Sequence, residues 1–280
     1  MLTRGEVVAR LRAAGCVLAE READLLLAEG RDPRWLADAV AARAAGTPLE
    51  QVLGWAGFAG HRWRVRPGVF VPRRRSERLV AVALGLPRPA VVVDVCCGSG
   101  ALGGALARAL AASPGPPLEL HAGDVDPVAV ACARENLSGL GDVHAGDLLD
   151  ALPARLRGRV DLLLAVVPYV PRGAVALLPP EFRDHEPRRA LDGGPDGLDV
   201  LRRLAAQAPS WLAPGAHLVT EVGAPQVPAA TAVLRGAGLA VRVVTAPAAP
   251  DPWAPGDDPG DDPGDDPGEP VLVATAPSPP

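Results

Sequence analysis

The sequence predicts an α/β protein: a mostly parallel sheet covered by helices on both faces, preceded by a small helical module. Three observations carry that expectation. From residue 76 onward, short apolar runs of strand length alternate with stretches of helical period. Residues 3–45 show the helical period alone. Between them, residues 48–72 alternate apolar and polar residues around Gly breaks, as a β-hairpin does. A chain of 280 residues has room for one large or two modest domains. The expected division is a helical domain over 1–47, a hairpin connector over 48–75 and an α/β domain over 76–280.

Each element has its own signal. Val7, Val8 and Leu11, then Leu25, Leu26 and Leu27, fall at helical spacing among Glu and Arg. Thr3 followed by Glu6 reads as a capping box, and Gly15, Gly30 and Gly46 read as helix stops. Residues 76–85 form an amphipathic helix, VVVDV (91–95) a buried strand and 101–111 the next helix. LELHAGD (118–124) is a strand, 127–137 a helix and VHAGD (143–147) a short strand. DLLLAVV (161–167) is a strand, 196–207 a helix, HLVTEV (217–222) a strand and 225–236 a helix. LAVRVVT (239–245) and PVLVATA (270–276) read as a closing antiparallel pair, which brings the sheet to seven strands. In such sheets, ligands sit at the carboxyl ends of the strands.

Composition narrows the function classes. No apolar run reaches the ~20 residues of a membrane helix, and the first residues mix charge with apolar side chains, unlike a secretory signal. The four Cys form no CxxC pair, so neither a zinc ribbon nor a disulfide framework is indicated, and a reducing cytoplasm fits. The formal net charge of −5 is local. Residues 251–269 hold eight acidic and no basic residues, leaving 28 basic against 25 acidic elsewhere. The repeated DDPG within 250–269 reads as an acidic flexible insertion. Carboxylates there could attract Ca²⁺, but the repeat lacks the ligand spacing of a cation loop, so no metal is expected.

The strand 91–95 runs into Cys96-Cys97-Gly98-Ser99-Gly100-Ala101-Leu102-Gly103 and then a helix. Small residues there let backbone approach a ligand, and the helix start offers unpaired N–H groups. Asp124 at the next strand end can accept from two ribose hydroxyls; Asp147 ends the short strand after it, near the expected adenine pocket. Two cofactors could use this layout. Gly98, Gly100 and Gly103 fit the dinucleotide pattern GxGxxG with an acid about 20 residues on, which suits an NAD(P)-dependent reductase. Asp94, just ahead of the turn, would repel a pyrophosphate but suits the ammonium and sulfonium of S-adenosylmethionine.

Several stretches, in order, resemble the protein-(glutamine-N5) methyltransferases of the HemK/PrmC class. GVFVPRRRSE (68–77) is similar to that family's GVLIPRPETE, and GDVDPVAVACAREN (123–136) to its D-P-A-A-R-N segment. The turn 91–107 and PPEFRDHEPRRALDGGPDGLDVLRRL (179–204) also resemble its consensus. The resemblance implies a Rossmann-like class I methyltransferase with an N-terminal substrate-recognition domain. It uses S-adenosylmethionine and modifies the Gln of the GGQ motif of peptide chain release factors. It implies that Asp94, Cys96, Gly98 and Gly100 hold the methionine end, Asp124 and Val125 the ribose, and Asp147 and Leu148 the adenine. Phe70, Arg73 and Glu77 are expected near the mouth of the site, unless Arg73 and Glu77 are only a surface ion pair. A monomeric, cytoplasmic enzyme follows, with a release factor or another protein as substrate, no membrane and no direct nucleic-acid contact.

One departure falls at the catalytic motif. The family's NPPY is here Val166-Val167-Pro168-Tyr169. An amide nitrogen is a poor nucleophile, and the Asn oxygen and the next backbone carbonyl orient it by accepting its two N–H bonds. Val166 has no acceptor, so one of two orienting contacts is lost, worth about 10²–10³ in rate by analogy with a single preorganised group. The alternative expectation is a divergent paralogue that binds the cofactor and transfers methyl weakly or not at all.

Overall fold

The computed structural model describes residues 2–245 and 270–278. The helical start is α1 (Arg4–Ala13), α2 (Ala19–Ala28) and α3 (Pro33–Ala44). Thr3 and Glu6 form the expected capping box, and Asp32 caps α3 by accepting from the N–H groups of Arg34 and Trp35. Val7, Leu11, Leu26, Leu36, Val40 and Leu53 close a core of their own.

The connector differs from its expected form. Residues Leu49–Leu53 make a short helix, α4, between Pro48 and Gly54, and the hairpin is confined to β1 (Trp55–Phe58) and β2 (His61–Arg64). The apolar residues of 48–53 satisfy the helical core rather than a strand face: Leu49, Val52 and Leu53 all pack against it. Tertiary packing thus overrides a pattern too short to fix its own period.

Then come α5 (Glu77–Leu84), β3 (Val91–Val95), α6 (Ala101–Ala111), β4 (Glu119–Asp124), α7 (Pro127–Asn136), β5 (Asp142–Ala145) and β6 (Val160–Ala165). They are followed by α8 (Pro180–His185), α9 (Arg188–Leu191), α10 (Asp199–Gln207), β7 (Leu212–Glu221), α11 (Val227–Gly236), β8 (Ala240–Val244) and β9 (Val271–Thr275). The seven-stranded sheet has the order β5-β4-β3-β6-β7-β9-β8, parallel except where β9 meets β7 and β8. The expected fold class therefore stands: an α/β, Rossmann-like, mostly parallel seven-stranded sheet. The acidic insertion expected at 250–269 lies outside the described residues. No helix among the described residues is long and apolar enough to cross a membrane.

The strand order places the site. The chain leaves β3 toward β4 and β5, then returns to add β6 on the other side of β3. That reversal opens a crevice at the carboxyl ends of β3 and β6. Val95 pairs with both Gly123 and Ala165, so Cys96, Asp124 and Val166 emerge side by side.

The hairpin is seated on this sheet domain by Trp63, which is buried and donates its indole N–H to the Phe58 carbonyl at 3.0 Å. A Cβ added to Gly104 of α6 would lie 2.5 Å from the Trp63 ring. Gly104→Ala should therefore cost about 1–3 kcal/mol by overpacking. A thermal melt checks this, and an unchanged midpoint would contradict the wedge. Asn136, the chain's sole Asn, ties hairpin to crevice: it exchanges hydrogen bonds with the Arg64 backbone and donates to the Ser99 carbonyl at 2.8 Å.

Candidate active site

The turn after β3 is built for close approach. Cys96 holds a left-handed backbone (φ 55), which costs a non-Gly residue of order 1–3 kcal/mol and is typical of functional turns. Gly100, at φ 77, starts α6 where a Cβ would sit 3.0 Å from Leu137. Asp94 is 1% exposed and accepts the Gly103 N–H at 2.8 Å. Burial pushes its carboxyl up to about 7, against the Gly103 hydrogen bond and with help from the Asp124 charge. Asp124 accepts from the N–H groups of Gly98 and Asp126, each at 2.9 Å, and burial raises its pKa too. Two desolvated carboxylates thus face a turn of N–H donors.

A cavity of about 640 Å³ runs from this turn to the helical domain. Cys96, Gly98, Asp124 and Val125 line one end, and Phe70, Arg73, Val166, Val167, Pro168 and Tyr169 line the middle. Asp94 lines a smaller recess beside it that shares Cys96, Gly98, Phe70 and Val166. Tyr169 is held at two points: Arg75 donates to its ring hydroxyl, and Gln226 donates to its backbone carbonyl at 2.9 Å.

The other sequence-derived residues lie around this centre. Arg73 is sandwiched over the rings of Phe70 and Phe182, 4.6 and 4.0 Å to the centroids, and donates to Glu186 at 2.6 Å. Glu77 is buried and accepts the Ala59 N–H at 2.9 Å, so it braces the hairpin rather than forming a surface pair. Asp147 pairs with Arg203, and Leu148 packs into the core on the α10 side; neither lines the cavity. Reading by motif missed Glu186, Arg75 and Glu50. Glu186 is buried and accepts from Val71 N–H at 3.1 Å as well as from Arg73. Its only signal was its place in the stretch 179–204.

The chain is 42% identical over 234 residues to the release factor glutamine methyltransferase of Mycolicibacterium smegmatis, covering 76% of this chain and 80% of that one. The chain belongs to the release factor glutamine methyltransferase family. The same name is carried by a Cereibacter sphaeroides relative, 37% identical over 83% of this methyltransferase and 88% of its own length. A 4-amino-L-phenylalanine/4-methylamino-L-phenylalanine methyltransferase of Streptomyces pristinaespiralis is 35% identical, covering 81% of this chain and 78% of that one. No protein-family model matches the chain. Among solved structures, a ribosomal protein L11 methylase from Lactobacillus delbrueckii subsp. bulgaricus aligns at 16% identity with a TM-score of 0.49, covering 77% of this chain and 84% of that one.

Proposed function

We propose that this methyltransferase moves the methyl group of S-adenosylmethionine onto a glutamine side-chain nitrogen of a peptide chain release factor. One observation carries the reading: the Gly-rich turn and the Val166–Tyr169 turn open onto a single cavity of about 640 Å³. Family membership supplies the reaction class, and the reductase reading finds no support among the relatives.

The donor set fits this cofactor. Asp94 is a buried carboxylate whose charge is costly until a cation arrives, which suits an ammonium and opposes a pyrophosphate. When bound, S-adenosylmethionine supplies an electrophilic methyl on a positively charged sulfur. In this reading Asp94, Cys96, Gly98 and Gly100 hold its amino-acid end and Asp124 with Val125 its ribose. Asp147 and Leu148 are left for the adenine, although neither lines the cavity.

The chain's own residues do the rest. Tyr169, held by Arg75 and Gln226, packs the acceptor's methylene stem and fixes its approach. Phe70 and Arg73, the latter held by Glu186, line the cavity beside Tyr169. The Val167 backbone carbonyl is left to orient the nitrogen, and Val166 adds only apolar surface. Catalysis is thus mostly alignment in this cavity, with one acceptor fewer than the family motif provides. Incubation with labelled methyl donor and a purified release factor tests the proposal. Label should enter the factor slowly and should not enter a variant whose GGQ Gln is Ala. No incorporation, or equal incorporation into both, would refute it.

A further inference from the structure

The helical-domain end of the cavity carries a carboxyl group that the chemistry above does not use. Glu50, on α4, lines the same cavity as Phe70, Val166 and Tyr169. Burial pushes its carboxyl above the ordinary Glu range; Glu181 adds to that shift, while Arg73 and Arg43 oppose it from a distance. Both of those guanidiniums are already committed. Arg43 donates to both carboxylate oxygens of Glu22, at 2.7 and 2.9 Å, and reaches Glu181 at 3.1 Å. Arg73 is taken by Glu186 at 2.6 Å. Glu50 turns instead to its own backbone N–H, and no other described residue pairs with it.

Glu50 is half-buried. A carboxylate partly withdrawn from water without a counter-ion is disfavoured, and one opening on a cavity recovers that cost when a cation enters. The surroundings favour a cation on a long stem. Leu18, Leu25, Leu49 and Leu178 make this end apolar. Of its carboxylates, Glu22 and Glu181 are paired with Arg43, which leaves Glu50 as the one without a guanidinium partner among the described residues. An aliphatic stem lying on apolar wall with its charged head on a carboxylate is how Arg and Lys bury themselves.

We infer that Glu50 forms a subsite for a basic side chain of the acceptor protein, close in its sequence to the glutamine that is methylated. The inference rests on the protein-acceptor reading above and names what the helical domain recognises. It gives that domain a specific role: register. The basic residue seated on α4 sets which side chain reaches Tyr169.

The test uses the full-length protein and short Gly-Gly-Gln peptides carrying arginine at each flanking position in turn, each paired with its neutral citrulline counterpart. Calorimetry should find one position at which the wild type binds arginine about tenfold more tightly than citrulline. Glu50→Gln should erase that preference, and Glu50→Asp should restore part of it. The Kd for S-adenosylmethionine and the melting midpoint should stay unchanged in both variants. With release factor as substrate, KM should rise about tenfold in Glu50→Gln at unchanged kcat. No arginine preference in the wild type, or one that survives Glu50→Gln, would overturn the subsite. A clear preference alongside no methylation of release factor would support the subsite and refute the release-factor reading instead.

Discussion

Replacing Val166 by Asn and Val167 by Pro should raise kcat for glutamine methylation by about 10²–10³, with little change in KM for the protein substrate. Val166 leaves the end of β6 beside Asp124 and Cys96, on the wall of the cavity, where an Asn side chain would present its oxygen to the acceptor. The supporting parts are already in place: Pro168 and Tyr169 follow, and Gln226 ties the Tyr169 carbonyl. In the wild type, an amide that enters leaves one N–H without an acceptor, a cost of about 1–3 kcal/mol. Single-turnover rates separate this effect from binding. Equal rates for the two proteins would show that the missing Asn has no consequence.

The second large effect belongs to Asp94, and its two readouts should move in opposite directions. The folded protein holds this carboxyl at about 7, raised from the ordinary 3.8 by burial. Between those two values the folded state binds more protons than the unfolded state, so this group makes stability fall as pH rises toward 7 and level off above it. Asp94→Asn removes the titrating group. The cofactor-free variant should be more stable than the wild type at pH 8, with a flatter pH profile from 4 to 7. Its affinity for S-adenosylmethionine should drop at least about 100-fold, because the ammonium loses a desolvated carboxylate partner. In the wild type, cofactor binding below pH 7 should release a proton, visible as a dependence of the calorimetric heat on buffer ionisation enthalpy. A variant that binds normally, or that is destabilised at every pH, would contradict the role given to Asp94.

The sheet was legible because its central strands are buried on both faces and are rich in Val and Leu, as VVVDV (91–95) and VDLLLA (160–165) are. The carboxyl-end residues followed from that, since a parallel register fixes which residues emerge together. Cys96, Gly98, Asp124, Val125 and the Val166–Tyr169 turn do share one cavity. What the sequence hid was partnership across long separations. Glu186 meets Val71 and Arg73, and Glu77 meets Ala59, through contacts that no local spacing encodes. Arg73 and Glu77 looked like neighbours in one short motif, yet they brace different elements. The α4 segment was misread for a related reason: five residues are too few for a helical period to outvote alternation, and the choice is made by the core they join. Glu50 was invisible because a lone Glu among Leu49, Val52 and Leu53 has no signature until the fold brings it to the cavity.

The most direct test is the site of modification. A release factor should be incubated with the wild-type protein and S-adenosylmethionine, digested, and read by tandem mass spectrometry. A single methyl group on the GGQ glutamine, accumulating slowly, is the expected result. Methyl groups on lysine, arginine or a terminus, or none at all in the presence of bound cofactor, would contradict glutamine methylation by this site.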